Sequence, residues 1–294
     1  AAANYNSNSI SIRLGNGTGS FSGSTDIAVQ TNPRPITFGD VNGDGYLDIA
    51  TANAGSNNMS VLLGNGTGTF SAGTDVPMQT DPNAVAFGDV NGDGYLDVAV
   101  TNYSSNSISV RLGDGTGNFG GSTNIAVQNN PRAVALGDMN GDGYIDIAAA
   151  NSGSNSVSIL LGDGTGSFSG STNISVQNQP WGIALGDVNE DGILDIVVPN
   201  SISNNVSVLL GQPNPNIVSH TPVANATNVA TTSTISITLS STLNASTVTA
   251  VNIKIYGSVS GYLSTRGTFS VAGSTATWSH PSVGFEPGEI ITVI

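Results

Sequence analysis

Gly39-Asp40-Val41-Asn42-Gly43-Asp44-Gly45-Tyr46-Leu47-Asp48 recurs, with small changes, from Gly88, Gly137 and Gly186, a constant step of 49 residues. The same step carries Asn4 to Asn53, Asn102, Asn151 and Asn200. It also carries Pro33 to Pro82, Pro131 and Pro180, and Phe21 to Phe70, Phe119 and Phe168. Self-similarity at a fixed period marks one structural unit used several times.

Within each unit the pattern is that of short strands. Apolar residues alternate with small or polar ones in Ile10-Ser11-Ile12-Arg13-Leu14, and again over residues 59–63, 108–112, 157–161 and 206–210. A period of two is that of a half-buried strand. Gly-Asn/Asp-Gly-Thr-Gly follows at residues 15–19 and 113–117, and Asn-Gly or Asp-Gly supplies the positive φ of tight hairpins. Further strands are expected over residues 26–30, up to Phe38 and after Asp48, with their copies. No segment has a helical period. Four strands in 49 residues is the size of a β-propeller blade; a β-solenoid usually repeats sooner and lacks two hairpin turns per unit. The expectation is an all-β chain built on a propeller of four to five four-stranded blades. The strand at residues 10–14 is a fifth copy against four acidic loops, so the propeller is read as an incomplete ring or fragment, or as one closed by its two ends.

The loop itself is D-x-N-x-D-G-x-x-D, with Glu190 replacing a glycine in the last copy. Side-chain oxygens fall at positions 1, 3, 5 and 9: Asp40, Asn42, Asp44 and Asp48; Asp89, Asn91, Asp93 and Asp97; Asp138, Asn140, Asp142 and Asp146; Asp187, Asn189, Asp191 and Asp195. Alternate spacing lets a curled loop turn successive oxygens inward, and glycine at position 6 permits the sharp turn that returns position 9. Hard, anionic oxygens suit Ca²⁺, which takes about six to eight of them in a flexible shell. Mg²⁺ suits less, because it demands strict octahedral geometry. No thiol or imidazole lies in the loop to favour a softer metal. The bland alternative is a set of metal-free Asx turns. An EF-hand needs Glu at position 12, where Thr51, Val100, Ala149 and Val198 stand.

Charge supports the cation reading. The chain has 294 residues, 6 Lys+Arg against 20 Asp+Glu and a net charge of −14. The loops hold 13 of the 20 acids, leaving 7 acids against 6 bases elsewhere. Four bound Ca²⁺ would bring −14 to −6. An acidic chain lacks the basic face that nucleic acid requires, and no run of about 18 apolar residues offers a membrane span. Cysteine is absent, which excludes disulfides, thiolate metal sites and cysteine nucleophiles.

The run Phe-Gly-Asp-Val-Asn-Gly-Asp-Gly-Tyr-Leu-Asp, followed by Val-Leu-Leu-Gly-Asn-Gly-Thr-Gly-Thr-Phe, resembles the FG-GAP/VCBS repeats of integrin α-subunit propellers and bacterial surface proteins. The resemblance covers residues 4–211. It implies a β-propeller with about four Ca²⁺ ions, one per acidic loop, between the first two strands of each blade. It further implies that the backbone carbonyls of Tyr46, Tyr95, Tyr144 and Ile193 serve at position 7. The integrin ring has seven blades, a count not met here, and Glu190 departs from the pattern.

Periodicity fails after Gly211. The expected division is a repeat region over 1–211, a Pro/Asn linker over 212–216, and a second domain over 217–294. The last resembles a bacterial Ig-like β-sandwich, with Trp278 in its core and an end strand missing beyond residues 290–294.

Catalysis is not expected. The two histidines, His220 and His280, lie in the second domain, so a Ser-His-Asp site in the repeats is excluded. A glycosidase needs a separate acid pair, and Asp26, Asp75, Asp81, Asp114 and Asp163 mostly occupy repeated hairpin positions. A ligand-binding face is sought instead where the repeat varies. The residue after the repeated proline is Arg34, Asn83, Arg132 and Trp181 in turn, at the blade end opposite the acidic loop, and Tyr103 lies in a turn on that side. The expected function is a calcium-binding extracellular adhesion module, secreted or at a bacterial surface, for a protein or glycan ligand. The alternatives are the non-catalytic propeller and Ig-like region of a larger secreted polysaccharide-acting enzyme, or a structural spacer.

Overall fold

The computed structural model describes residues 1–212, 217–222, 234–240, 255–258, 261–263, 267–279 and 290–293. The chain divides into two compact units, Ala1–Gln212 and Pro213–Ile294. Of the expected linker, only Gln212 lies among the described residues.

The first unit is five antiparallel sheets and, among the described residues, no helix. The first sheet holds β1 (Ala2–Asn4), β2 (Ser9–Gly15) and β3 (Phe21–Ala28). The second holds β4 (Pro33–Gly39), β5 (Asp48–Asn53), β6 (Asn58–Gly64) and β7 (Phe70–Pro77). The third holds β8 (Pro82–Gly88), β9 (Asp97–Asn102), β10 (Ser107–Gly113) and β11 (Phe119–Ala126). The fourth holds β12 (Pro131–Gly137), β13 (Asp146–Asn151), β14 (Ser156–Gly162) and β15 (Phe168–Ser175). The fifth holds β16 (Ala184–Gly186), β17 (Asp195–Asn200) and β18 (Asn205–Leu209). The middle three are four-stranded meanders of the expected blade kind, whereas the first and fifth have three strands each and the sheets do not close into a ring. The strand expected over residues 26–30 begins earlier, at Phe21.

The core lies between sheets. Ile10 and Ile12 of the first sheet pack with Ile49 and Leu62 of the second. Met59 and Val61 of the second pack with Val98 and Val100 of the third, and the third and fourth, then fourth and fifth, meet in the same way. The second strand of each middle sheet, β5, β9 or β13, is therefore covered on both faces and wholly buried. That explains its runs of small residues, such as Ala148-Ala149-Ala150, since sheets pack closely only over short side chains.

Local chemistry shapes the connections. Asn8, Asn57, Asn106 and Asn155 take positive φ of 51° to 55° in the turn after the second strand, a conformation asparagine tolerates. The Asn106 Oδ1 then accepts the Asn130 N–H at 2.9 Å, and Asn57 accepts Asp81 N–H likewise. Each turn is thus tied to the segment that enters the next sheet.

Where the third strand ends, glycine is required by closeness. A Cβ on Gly113 would collide with the Leu96 carbonyl oxygen, and Gly64 and Gly162 face Leu47 and Ile145 in the same manner. Gly113→Ala is expected to lower stability in urea titration by about 2–3 kcal/mol, the scale of overpacking in a tight core. Gly120→Ala, with nothing within 4 Å of the added carbon, should change it by less than about 1 kcal/mol. Equal costs at the two positions would refute this account.

Among its described residues, the second unit pairs two sheets. One runs β19 (Ile217–Thr221), β20 (Ile235–Leu239), β24 (Thr275–Ser279), β23 (Thr268–Ala272); the other runs β22 (Gly261–Tyr262), β21 (Ile255–Gly257), β25 (Ile291–Val293). Ile235 and Trp278 from the first meet Ile255 from the second in one buried cluster. This is the expected sandwich, and Trp278 is in its core. His220 is exposed on β19, its Nδ1 2.8 Å from the Pro222 carbonyl; His280 lies outside the described residues.

Candidate metal centres

Each acidic loop joins the first two strands of a sheet. In the second sheet, Asp40 Oδ1 accepts the Gly43 N–H at 2.8 Å and the Asp44 N–H at 3.2 Å, while its Oδ2 accepts the Gly45 N–H at 2.8 Å. Asn42 Oδ1 accepts the Asp44 N–H and Asp44 Oδ1 the Tyr46 N–H. Asn42 Nδ2 donates to Asp44 Oδ2 at 3.0 Å. Asp89, Asn91 and Asp93 repeat this set, as do Asp138, Asn140 and Asp142. Asp187, Asn189 and Asp191 form the fourth. Glu190 keeps the left-handed turn at φ 61°, where Gly43, Gly92 and Gly141 stand in the other copies at 72° to 75°.

The ninth position differs from the rest. Asp48, Asp97, Asp146 and Asp195 are wholly buried. Asp97 Oδ2 accepts the Val90 N–H at 2.9 Å and Oδ1 the Gly113 N–H at 2.8 Å. The other three carboxylates make the same pair of bonds, Asp48 to Val41 and Gly64, Asp146 to Met139 and Gly162, Asp195 to Val188 and Gly211. Burial raises the Asp48, Asp97 and Asp146 carboxyls above their ordinary 3.8, the two backbone donors lower them, and the neighbouring loop aspartates raise them further.

The donors are oxygens only, mostly anionic, which is the chemistry of a hard divalent cation. The carboxylate oxygens that accept a single bond, such as Asp40 Oδ2, Asp44 Oδ1 and both oxygens of Asp48, keep a second lone pair. Among the described residues no group of three or more His, Asp or Glu side chains is drawn together as a metal cluster. Tyr46, Tyr95 and Tyr144 lay their rings against the turn glycines Gly66, Gly115 and Gly164, and Ile193 lies against Gly211.

On the opposite ends of the sheets, the structure brings part of the expected ligand face together. The Arg132 guanidinium stacks between Trp181, 4.1 Å from its ring centre, and Tyr103, at 5.4 Å. Arg34 instead lies 5.0 Å from the Tyr5 ring and 3.7 Å from Asp81 Oδ1. Asn83 is buried. Tyr5 was legible all along, since it stands on the 49-residue step with Tyr103. Arg111 was not: it is buried between sheets, donating to the Thr123 carbonyl at 3.1 Å and to Pro77 of the preceding sheet at 3.2 Å. Desolvation lowers its pKa.

Comparison with known proteins agrees with the repeat. An FG-GAP-like repeat matches over residues 1–51, 40–100, 89–149 and 138–198, and a bacterial Ig-like domain over 212–293. No curated protein matches the chain. Similar solved structures include BBS1N in complex with ARL6DN, at 14% identity and TM-score 0.43, covering 71% of this chain and 66% of that one. The periplasmic gluconolactonase PpgL of Pseudomonas aeruginosa is 13% identical with TM-score 0.43, covering 64% of this chain and 46% of the other. The virginiamycin B lyase of Staphylococcus aureus is 15% identical with TM-score 0.44, covering 79% and 71%. The chain thus spans less than two thirds of the first two. Four matched repeats on the 49-residue step, folded as successive antiparallel sheets, place the chain in the FG-GAP-like repeat family, with a bacterial Ig-like domain after the repeats.

Proposed function

We propose that the repeat unit is a non-catalytic, calcium-stabilised binding module that works outside the bacterial cell. The observation that carries this reading is the buried aspartate at the ninth loop position, repeated four times and flanked by further carboxylates. A divalent cation would relieve that concentration of negative charge, held by the side chains at positions 1, 3, 5 and 9 with the position 7 carbonyl. Extracellular modules of this chemistry bind Ca²⁺ at roughly 10⁻⁴–10⁻³ M, concentrations met outside cells. Its role is structural.

The ligand is a protein or glycan, taken at the Tyr103–Arg132–Trp181 stack, where a half-exposed indole adjoins a cation. An indole face and a guanidinium suit sugar rings, aromatic side chains and carboxylates. The test is a glycan and matrix-protein array read with the full chain in calcium, in EGTA, and with Arg132→Ala combined with Trp181→Ala. Specific binding should fall at least about tenfold in the double variant, the loss of about 1.4 kcal/mol. An unchanged signal there would remove the proposed face, and no signal from the wild type in calcium would remove the binding role.

A further inference from the structure

Arginine stands at the same repeat position in two sheets, and the two copies differ in what answers them. Arg34 and Arg132 are two 49-residue steps apart, as are Tyr5 and Tyr103, and Asp81 and Gln179. Each guanidinium lies against the tyrosine of the preceding sheet, at 5.0 Å for Arg34 on Tyr5 and 5.4 Å for Arg132 on Tyr103. Each Nε is sealed from solvent without a hydrogen-bond partner. Arg34 is then met by a carboxylate of its own chain, Asp81 Oδ1, 3.7 Å from Nη2. Gln179 stands in that place beside Arg132, and its Oε1 accepts the Ser201 Oγ–H at 2.9 Å instead.

Trp181 lies 4.1 Å from the Arg132 guanidinium, where the other copy has Asn83. Ring faces answer the cation's charge but accept none of its in-plane N–H bonds. Among the described residues no acceptor meets Nη1 or Nη2 of Arg132, and neither is sealed as Nε is. Two rings thus hold a planar fork whose outer nitrogens fit both oxygens of a carboxylate. A side chain already ordered in this way loses less entropy when a ligand arrives. The acidic loops, with 13 of the 20 acids, lie at the opposite ends of the sheets, so the net −14 of the chain is not gathered here.

We propose that the Nη edge of Arg132 binds the carboxylate of an acidic sugar, which takes there the part that Asp81 plays beside Arg34. The proposal rests on the ligand face inferred above and narrows its ligand to a uronate-bearing glycan. A peptide strand needs free main-chain groups, and those around the stack are already paired. Ser152 N–H goes to the Asn130 carbonyl at 2.9 Å, Trp181 N–H to Pro199 at 3.0 Å and Ser201 N–H to Gln179 at 2.9 Å. The side chains there, an indole, a phenol, an amide and a hydroxyl, offer ring faces and neutral hydrogen bonds, which suit a hydroxyl-rich ring.

The test is calorimetric titration of the full chain, at constant calcium, with uronate-containing oligosaccharides and their carboxyl-reduced counterparts. At least one uronate should bind, and its reduction should weaken binding at least about tenfold, the loss of a charge-assisted pair. Gln179→Asp is the sharper variant. It places beside Arg132 the carboxylate that Arg34 already has, at a φ of 59° that Asp81 and Gln179 share. It should therefore melt no lower than the wild type, yet bind the uronate at least about tenfold more weakly. A stack with only a structural part would leave sugar binding unmoved by that change. The proposal is overturned if no uronate binds, if acid and reduced sugar bind alike, or if Gln179→Asp binds the uronate as the wild type does. A glutamate-rich peptide bound in place of any uronate overturns it as well. A neutral glycan whose binding is lost on combining Arg132→Ala with Trp181→Ala would overturn it while leaving the ligand face standing. A wild type that binds nothing on the array removes both.

Discussion

In excess calcium the full chain is expected to melt at least about 10 °C higher than in EGTA. Four proposed sites, each filled at tenfold over its dissociation constant, would add about 1.4 kcal/mol apiece. Their sum, about 6 kcal/mol, rivals the whole stability of an ordinary domain, about 5–15 kcal/mol. In a unit of this size 1 kcal/mol moves the midpoint by roughly 2–4 °C. Acidity supplies a second arm. The Asp48, Asp97 and Asp146 carboxyls titrate above 3.8 in the folded chain. Their contribution is fully present below the unfolded value and is lost as pH rises through the folded one. In EGTA, therefore, stability rises as pH falls from neutral toward the ordinary carboxylate range. Asp114 and Asp163, lowered chiefly by their bonds to Thr116 and Thr165, act in the opposite sense but only below 3.8. Calcium binding needs ionised carboxylates, so the calcium increment shrinks on acidification and the two melting series converge. Superimposable curves at neutral pH would end the calcium reading.

Asp97→Ala is expected to cost about 4 kcal/mol in EGTA and about 1–2 kcal/mol more in calcium, where a ligand is lost as well. The two N–H groups that Asp97 accepts, from Val90 and Gly113, would be left without acceptors in a buried site. Each such loss costs about 1–3 kcal/mol. Asp93 sits at an exposed position of the same loop. Asp93→Ala should cost about 1–2 kcal/mol in calcium, where a ligand is lost, and well under about 1 kcal/mol in EGTA. Urea titrations of both variants with and without chelator make the comparison. If Asp97→Ala is harmless in EGTA, the ninth aspartate serves only a cation and not the fold.

The strands were legible because their signals are local: alternation at residues 108–112 and the Gly-Asp-Gly-Thr-Gly turn suffice to draw β10 and the hairpin after it. The loop chemistry was legible for the same reason. What the ninth aspartate touches was not, since Gly113 lies 16 residues beyond Asp97 and reaches it only when the third strand ends beside the loop. Arg111 looked like an ordinary polar position of an alternating strand. Its burial depends on the sheet in front, whose Pro77 carbonyl it meets 34 residues away. The positive-φ asparagines were hidden by composition, because asparagine is abundant here and nothing local marks Asn106 and its counterparts as the ones that hold the next connection. The lysine-poor, glycine-rich surface gave no sign of which sheets would have three strands, since that depends on which neighbours each strand finds.

Because each hydrophobic cluster of the first unit is shared by two adjacent sheets on one constant step, its coding sequence could be cut and rejoined at any phase of its period. An unequal crossover anywhere in the array would add or delete one intact seam, with no residue out of register. On this layout the array could lengthen or shorten by whole units without a new core being invented.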